Sequence, residues 1–252
     1  MHSTLVDAAI LRAHLGDPAW VVVDCRFDLA APEAGQRDWL AGHVPGARYA
    51  HLDRELSGPP RTDHGRHPLP APDALVATFG RLGIGPGTQV VACDTAGGMF
   101  AARLWWLLRY MGHDAVAVLD GGWQAWLAAG GPVETGPVEP RAARFTGTPR
   151  GEWLVTLEEV GDAPLLVDAR DPARFRGEVE PLDPVAGHIP GARNRHCRTN
   201  LDAGMHFRPP AELRAEFTTL LGAVPAGDAV FYCGSGVTAC HNLLALAHAG
   251  LP

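Results

Sequence analysis

Short apolar runs recur along the chain, each followed by a stretch whose apolar residues return every three or four positions. The runs at 20–24, 89–93, 115–119, 164–168 and 229–232 show no alternation of polar and apolar residues. Runs of this kind predict strands covered on both faces, as in a parallel sheet. Helical spacing follows at 71–82, 123–129, 210–221 and 237–249, with a further helix ending near Gly112. Two capping-box patterns, Thr4-x-x-Asp7 and Thr156-x-x-Glu159, predict where further helices begin. Strands alternating with helices define an α/β class in which helices cover both faces of mostly parallel sheets.

The pattern is written twice. Trp20-Val21-Val22-Val23-Asp24-Cys25-Arg26 returns as Pro164-Leu165-Leu166-Val167-Asp168-Ala169-Arg170. Gly42-His43-Val44-Pro45-Gly46-Ala47-Arg48 returns as Gly187-His188-Ile189-Pro190-Gly191-Ala192-Arg193, in the same order and at nearly the same offset. An internal repeat of this length predicts two copies of one domain. The boundaries fall at 1–130 and 150–252, joined by a Pro-, Gly- and Thr-rich connection over 131–149. In each copy, Asp and Arg at the end of the first strand (Asp24/Arg26, Asp168/Arg170) predict an ion pair bracing the adjacent loop.

Charge and cysteine content narrow the chemistry. There are 21 basic and 28 acidic residues, a net charge of −7, and no basic block, which argues against nucleic acid as a partner. An anionic substrate therefore needs arginines placed locally. The five cysteines (25, 93, 197, 233, 240) are odd in number and lack metal-binding spacing. Reduced thiols, no metal and a cytoplasmic setting are expected. No segment has the length and apolarity of a membrane span, and the first residues lack the pattern of a secretory leader.

The densest candidate chemistry is Cys233-Gly234-Ser235-Gly236-Val237-Thr238, between the strand at 229–232 and the helix at 237–249. A Gly-rich turn entering a helix aims several backbone N–H groups at one point, with the positive end of the helix dipole behind them. A thiol at that point is biased toward thiolate, its reactive form. Cys93 and Cys240, by contrast, read as small buried core residues.

These motifs resemble the tandem-domain rhodanese-type sulfurtransferases: the paired Val-Asp-x-Arg strands, the paired Gly-His-[Val/Ile]-Pro-Gly-Ala turns, the cysteine loop, Arg103-Leu104-Trp105-Trp106, and Leu119-Asp120-Gly121-Gly122-Trp123. The Cys-Gly-Ser-Gly-Val-Thr loop is similar to the 3-mercaptopyruvate branch, whereas the thiosulfate branch carries cationic residues after the cysteine. The resemblance implies two rhodanese-like domains, the first non-catalytic because Asp94 stands where Cys233 stands in the second. It implies a persulfide on Cys233, with a small-molecule sulfur donor, a thiol, cyanide or thioredoxin-like acceptor, and no cofactor. It also implies Ser235, His67 and Asp53 as a proton relay, with His64 a neighbouring competitor for the histidine role. Substrate binding falls to Arg174 and the loop residues Gly234, Gly236, Val237 and Thr238. A second family arginine is missing from the acidic stretch Glu178–Asp183, and Arg176 is equally its stand-in or a solvated surface arginine.

Three other functions come into view. A thiosulfate:cyanide sulfurtransferase would use the same cysteine. A phosphatase would need an arginine where Ala239 stands. A non-catalytic binding module would have no use for the intact cysteine loop. The repeat carries one more expectation. In the first copy a strand and a helix follow Gly112, but only Leu251 and Pro252 follow Gly250. A missing strand and helix are therefore expected beyond position 252, roughly thirty residues by the repeat, or else another chain adds a strand there.

Overall fold

The computed structural model describes residues 1–61, 64–139 and 141–251. Its first half holds a five-stranded sheet built from β1 (Leu5–Val6), β2 (Trp20–Asp24), β3 (Arg48–Tyr49), β4 (Gln89–Cys93) and β5 (Val116–Leu119). The order is β1-β5-β4-β2-β3, and every pair is parallel. Five helices belong to this half: α1 (Ala8–Ala13), α2 (Ala34–Ala41), α3 (Pro72–Arg81), α4 (Ala101–Tyr110) and α5 (Gly122–Ala128). The second half holds β6 (Leu165–Asp168), β7 (Arg193–Asn194) and β8 (Ala229–Tyr232), in the order β7-β6-β8, again parallel. Around it lie α6 (Pro172–Phe175), α7 (Pro210–Leu221) and α8 (Val237–His248). Among the described residues β8 has no strand on its outer side, whereas its counterpart β4 is paired on both.

Each half repeats the same bracing device. Arg26 pairs with Asp24 at 2.7 Å and donates to the Gly42 carbonyl at 2.7 Å. Arg170 pairs with Asp168 at 2.7 Å and donates to the Gly187 carbonyl. Both carboxylates are fully buried, so each guanidinium offsets a desolvated charge while tying the strand end to the following Gly-His turn. The expected role of these pairs is the observed one.

The capping boxes are corrected by the structure. Asp7, not Thr4, caps α1, its side chain accepting from the Ile10 N–H at 2.7 Å. Thr4 lies ahead of β1, which the sequence pattern did not separate from the helix. The second box half-forms: Glu159 accepts from the Thr156 N–H at 2.9 Å, but only a short 3₁₀ turn at Val160–Asp162 follows. Leu157 there is exposed, so no apolar face rewards a longer helix.

Helices α4 and α8 join the halves. They pack against each other, and their buried faces belong to one continuous core that takes in Trp105, Leu108, Leu244 and Ala245. Additional ties cross the junction. Asp120 accepts from the Phe207 N–H at 2.8 Å, and His241 Nε2 lies 3.0 Å from the Gly97 carbonyl oxygen. No helix among the described residues is long and apolar enough to cross a membrane.

A continuous core predicts one cooperative unfolding transition. Leu244→Ala, removing a fully buried side chain from the junction, is expected to cost about 2–5 kcal/mol. Urea denaturation followed by both circular dichroism and tryptophan fluorescence should give coincident curves shifted to lower midpoint. Separate transitions for the two probes would contradict a shared core.

Candidate active site

Cys233 sits immediately after β8, and α8 begins four residues later at Val237. Gly236, at φ +73°, turns the chain into the helix through left-handed backbone that a side chain would strain. The loop closes around the sulfur: the Ser235 and Gly236 N–H groups donate to Cys233 Sγ at 3.4 and 3.1 Å. Burial by itself pushes the thiol up. The Thr238 hydroxyl and the Ser235 and Ala239 N–H groups outweigh it, so the Cys233 thiol lies below its ordinary value. The other four cysteines go the opposite way. Burial holds Cys25 and Cys93 well above the ordinary value, Cys197 at about 12 and Cys240 at about 11. Cys240 also donates to the Gly236 carbonyl at 3.0 Å, consistent with a packing role on α8.

The first half contains the same cradle with a different anion. The fully buried Asp94 follows β4 and accepts from the N–H groups of Ala96, Gly98, Phe100 and Ala101 at 2.8–2.9 Å. Its carboxylate fills the place that the thiolate takes in the second half. No nucleophile is available there.

A cavity of about 180 Å³ opens over Cys233 and lies between the halves, with Arg66, His67, Arg174, Gly234, Ser235 and Thr238 in its wall. That is smaller than the roughly 300–1,000 Å³ of pockets for drug-sized ligands. The first half reaches this cavity through the irregular segment around residue 66, whose backbone N–H donates to the Gly234 carbonyl at 3.2 Å. Arg103, buried on α4, donates to the carbonyls of Leu56, His67 and Pro68 at 3.3–3.4 Å and so fixes that segment.

His67 Nε2 lies 3.1 Å from Asp53 Oδ1. An ionised carboxylate accepts, so the ring proton sits on Nε2 and Nδ1 is left as the acceptor. Nδ1 is buried and has no hydrogen-bond partner among the described residues. Burial lowers the histidine below its ordinary value against the pull of Asp53, with Arg103 and Arg66 pushing the same way as burial. The ring is therefore neutral at neutral pH.

The residues singled out in the sequence divide as follows. Cys233, Gly234, Ser235, Val237, Thr238, His67 and Arg174 all border the cavity. Gly236 contributes its N–H to the sulfur, and Asp53 stands behind His67. Ser235 does not cap α8; its hydroxyl lies 3.9 Å from the Cys233 sulfur. No hydrogen bond joins Ser235 to His67 among the described contacts, so the relay is assembled around one cavity without being closed. His64 is exposed and outside the cavity wall. Of the two readings of Arg176 the surface one holds: it is 54 % exposed, pairs with Glu178 at 2.7 Å and does not border the cavity. Besides Arg174 the wall holds Arg170, which is tied to Asp168 and Glu180, and Arg66, which sequence reasoning missed. Its only signal was adjacency to His67.

Two parallel α/β halves, one holding a cysteine sulfur and the other a carboxyl group in the same backbone cradle, define a tandem α/β protein. The chain belongs to the rhodanese-like domain family, whose model matches residues 7–129 and again 152–252. It is 47 % identical to a probable 3-mercaptopyruvate sulfurtransferase of Pseudomonas aeruginosa, over 98 % of this chain and 90 % of that protein. It is 32 % identical to the thiosulfate sulfurtransferase of Bos taurus, over 97 % of this chain and 84 % of that one. Among solved structures it matches the 3-mercaptopyruvate sulfurtransferase SseA of Escherichia coli with a TM-score of 0.85 and 30 % identity, over 100 % of this chain and 96 % of the other.

The hydrogen bond from Thr238 supplies a direct test of the cradle. Losing one hydrogen bond to a charged sulfur costs about 1.5 kcal/mol or more, so Thr238→Val should raise the midpoint of Cys233 alkylation by roughly one pH unit. The measurement is the iodoacetamide rate against pH. An unshifted midpoint would remove Thr238 from thiolate stabilisation.

Proposed function

We propose that this protein is a sulfurtransferase that takes a sulfane sulfur from 3-mercaptopyruvate and passes it to a thiol or cyanide acceptor through a persulfide on Cys233. The observation that carries the reading is the Cys233 sulfur, which accepts from the loop N–H groups at the cavity that Arg174, Arg66 and His67 border. Covalent catalysis of this kind splits one transfer into two easier steps.

In the first step the Cys233 thiolate attacks the donor's sulfur. The carbon–sulfur bond breaks, its electron pair leaves on carbon as the enolate of pyruvate, and Cys233 retains the sulfur as a persulfide. A proton then converts the enolate to pyruvate. Ser235 is the group placed to deliver it. His67 Nδ1 can return a proton to the hydroxyl through the cavity, and Asp53 holds the ring tautomer. In the second step an acceptor thiolate or cyanide attacks the outer sulfur, the sulfur–sulfur bond breaks, and the Cys233 thiolate is restored. The N–H cradle stabilises the sulfur anion at the start and end of the cycle without reorganising.

The preference for 3-mercaptopyruvate rests on where positive charge lies. Gly234 and Ser235 put no formal charge beside the sulfur, whereas Arg174 and Arg66 stand on the cavity wall. A donor whose carboxylate is remote from its sulfur fits that layout; the compact thiosulfate dianion is served less well. The relatives bear names of both activities, and the layout of charge supports the 3-mercaptopyruvate reading.

Incubation with 3-mercaptopyruvate and no acceptor should add one sulfur to the peptide containing Cys233, read by mass spectrometry. Cys233→Ser should abolish turnover. A sulfur found on Cys197 or Cys240 instead, or turnover surviving in Cys233→Ser, would refute the assignment. In parallel kinetics with cyanide as acceptor, kcat/KM for 3-mercaptopyruvate should exceed that for thiosulfate. The reverse order would make the protein a thiosulfate:cyanide sulfurtransferase.

A further inference from the structure

The cavity arginines are already engaged by a carboxylate. Asp183 places Oδ2 2.7 Å from Arg174 Nη2, and its Oδ1 accepts from Arg66 Nη1. This side chain comes from an irregular strap over residues 178–187 that is neither helix nor strand. It lies directly over the residue after the nucleophile. A Cβ built on Gly234 would collide with Asp183 Oδ2 and approach Arg66 Nη1 to 2.9 Å. One carboxylate therefore bridges two guanidinium groups from different halves of the molecule, beside Cys233.

The two arginines are held in place by other contacts. Arg174 donates Nε to both oxygens of Glu180 at 3.1 Å and Nη2 to Oε1 at 2.7 Å. Burial opposes ionisation of Glu180, but hydrogen bonds from Arg174 and from the Asp183 and Leu182 N–H groups hold its carboxyl down at about 2. Arg66 is fixed by its backbone contact to Gly234, and its buried Nε has no hydrogen-bond partner among the described residues. Glu180 anchors the strap to Arg170 and Arg174, while Val179, Leu182 and Val185 on either side of it are exposed to solvent.

We propose that Arg66 and Arg174 form a two-guanidinium clamp for the substrate's carboxylate, and that Asp183 is an internal carboxylate which occupies the clamp until substrate displaces it. The proposal rests on the sulfur-transfer reading for the identity of the substrate, an α-keto carboxylate. Arg66 then fills the role for which the acidic stretch offers no second arginine. Each guanidinium exchanges one carboxylate oxygen for another, so the clamp itself never becomes a pair of bare buried cations. The Asp183 side chain closes the resting site and swings aside when a carboxylate ligand enters, while Glu180 keeps its hold on Arg174. Apparent affinity for substrate is lowered by the fraction of molecules in which Asp183 is seated.

The test measures carboxylate binding without turnover, which separates it from the sulfur-transfer reading. Pyruvate is titrated as a protectant of Cys233 against iodoacetamide, with acetone as the control lacking a carboxylate. Pyruvate should protect and acetone should not. Asp183→Asn, nearly isosteric, should lower the half-protecting pyruvate concentration roughly ten-fold, and Arg66→Gln should raise it by a similar factor, the scale of one charge-assisted hydrogen bond. Arg66→Lys should recover part of that loss. If Arg66→Gln leaves the half-protecting concentration unchanged, Arg66 is not in the clamp. If Asp183→Asn weakens protection, Asp183 is a structural support and not a competitor, and the proposal fails. Intact pyruvate protection with no persulfide formed from 3-mercaptopyruvate would instead keep the clamp and reject the sulfur-transfer reading.

Discussion

Everything in the site depends on the ring of backbone N–H groups at the junction of β8 and α8. Buried sulfur in an apolar setting is a poor nucleophile, and the other four cysteines show this: burial raises every one of them. Cys233 is buried by the same fold and yet goes down, because the loop turns the donors of Ser235 and Gly236 onto it and Thr238 adds a hydroxyl. These donors would otherwise be orphans at a helix N-terminus. The fold thus satisfies its own backbone and stabilises an anion with the same groups.

The duplicated half supports this reading. Its loop gathers four N–H groups onto Asp94, a residue that cannot form a persulfide. With no nucleophile there, the first half is free to act as a wall. It brings Arg66, His67 and, behind them, Asp53 to the sulfur of the other half, and Arg103 fixes the segment that carries them. The contact between α4 and α8 sets that distance, so packing far from the sulfur governs chemistry at it.

Much of this was legible in the sequence. The repeat of Val-Asp-x-Arg and Gly-His-[Val/Ile]-Pro-Gly-Ala fixed the order of elements, and β4, β8 and α7 fall on the segments expected from their apolar patterns. Cys233 was legible because a thiol between a buried run and a Gly-rich helix start has a local physical meaning. What escaped was non-local. Arg66 sits in a polar loop with no periodicity, and nothing in its spacing says that it meets Arg174 and Asp183 across the cavity. Arg176 stayed open between stand-in and surface residue because sequence does not say which way the end of the short helix α6 faces; Arg174 turns to Glu180 and Asp183, Arg176 to the exposed Glu178. Thr4 failed as a cap because β1 intervenes and Asp7 offers the carboxylate that reaches the Ile10 N–H.

The central claim is that one thiol of five is shifted toward its anion by the donors of its loop. A titration of thiolate ultraviolet absorbance on the native protein reads all five at once, with Cys233→Ser subtracted to assign the signal. The cradle predicts a single thiolate appearing below the ordinary thiol range, lost in Cys233→Ser, with the remaining four silent until strongly alkaline pH. A Cys233 signal that appears no earlier than the ordinary thiol range, or an early signal that survives in Cys233→Ser, would contradict it.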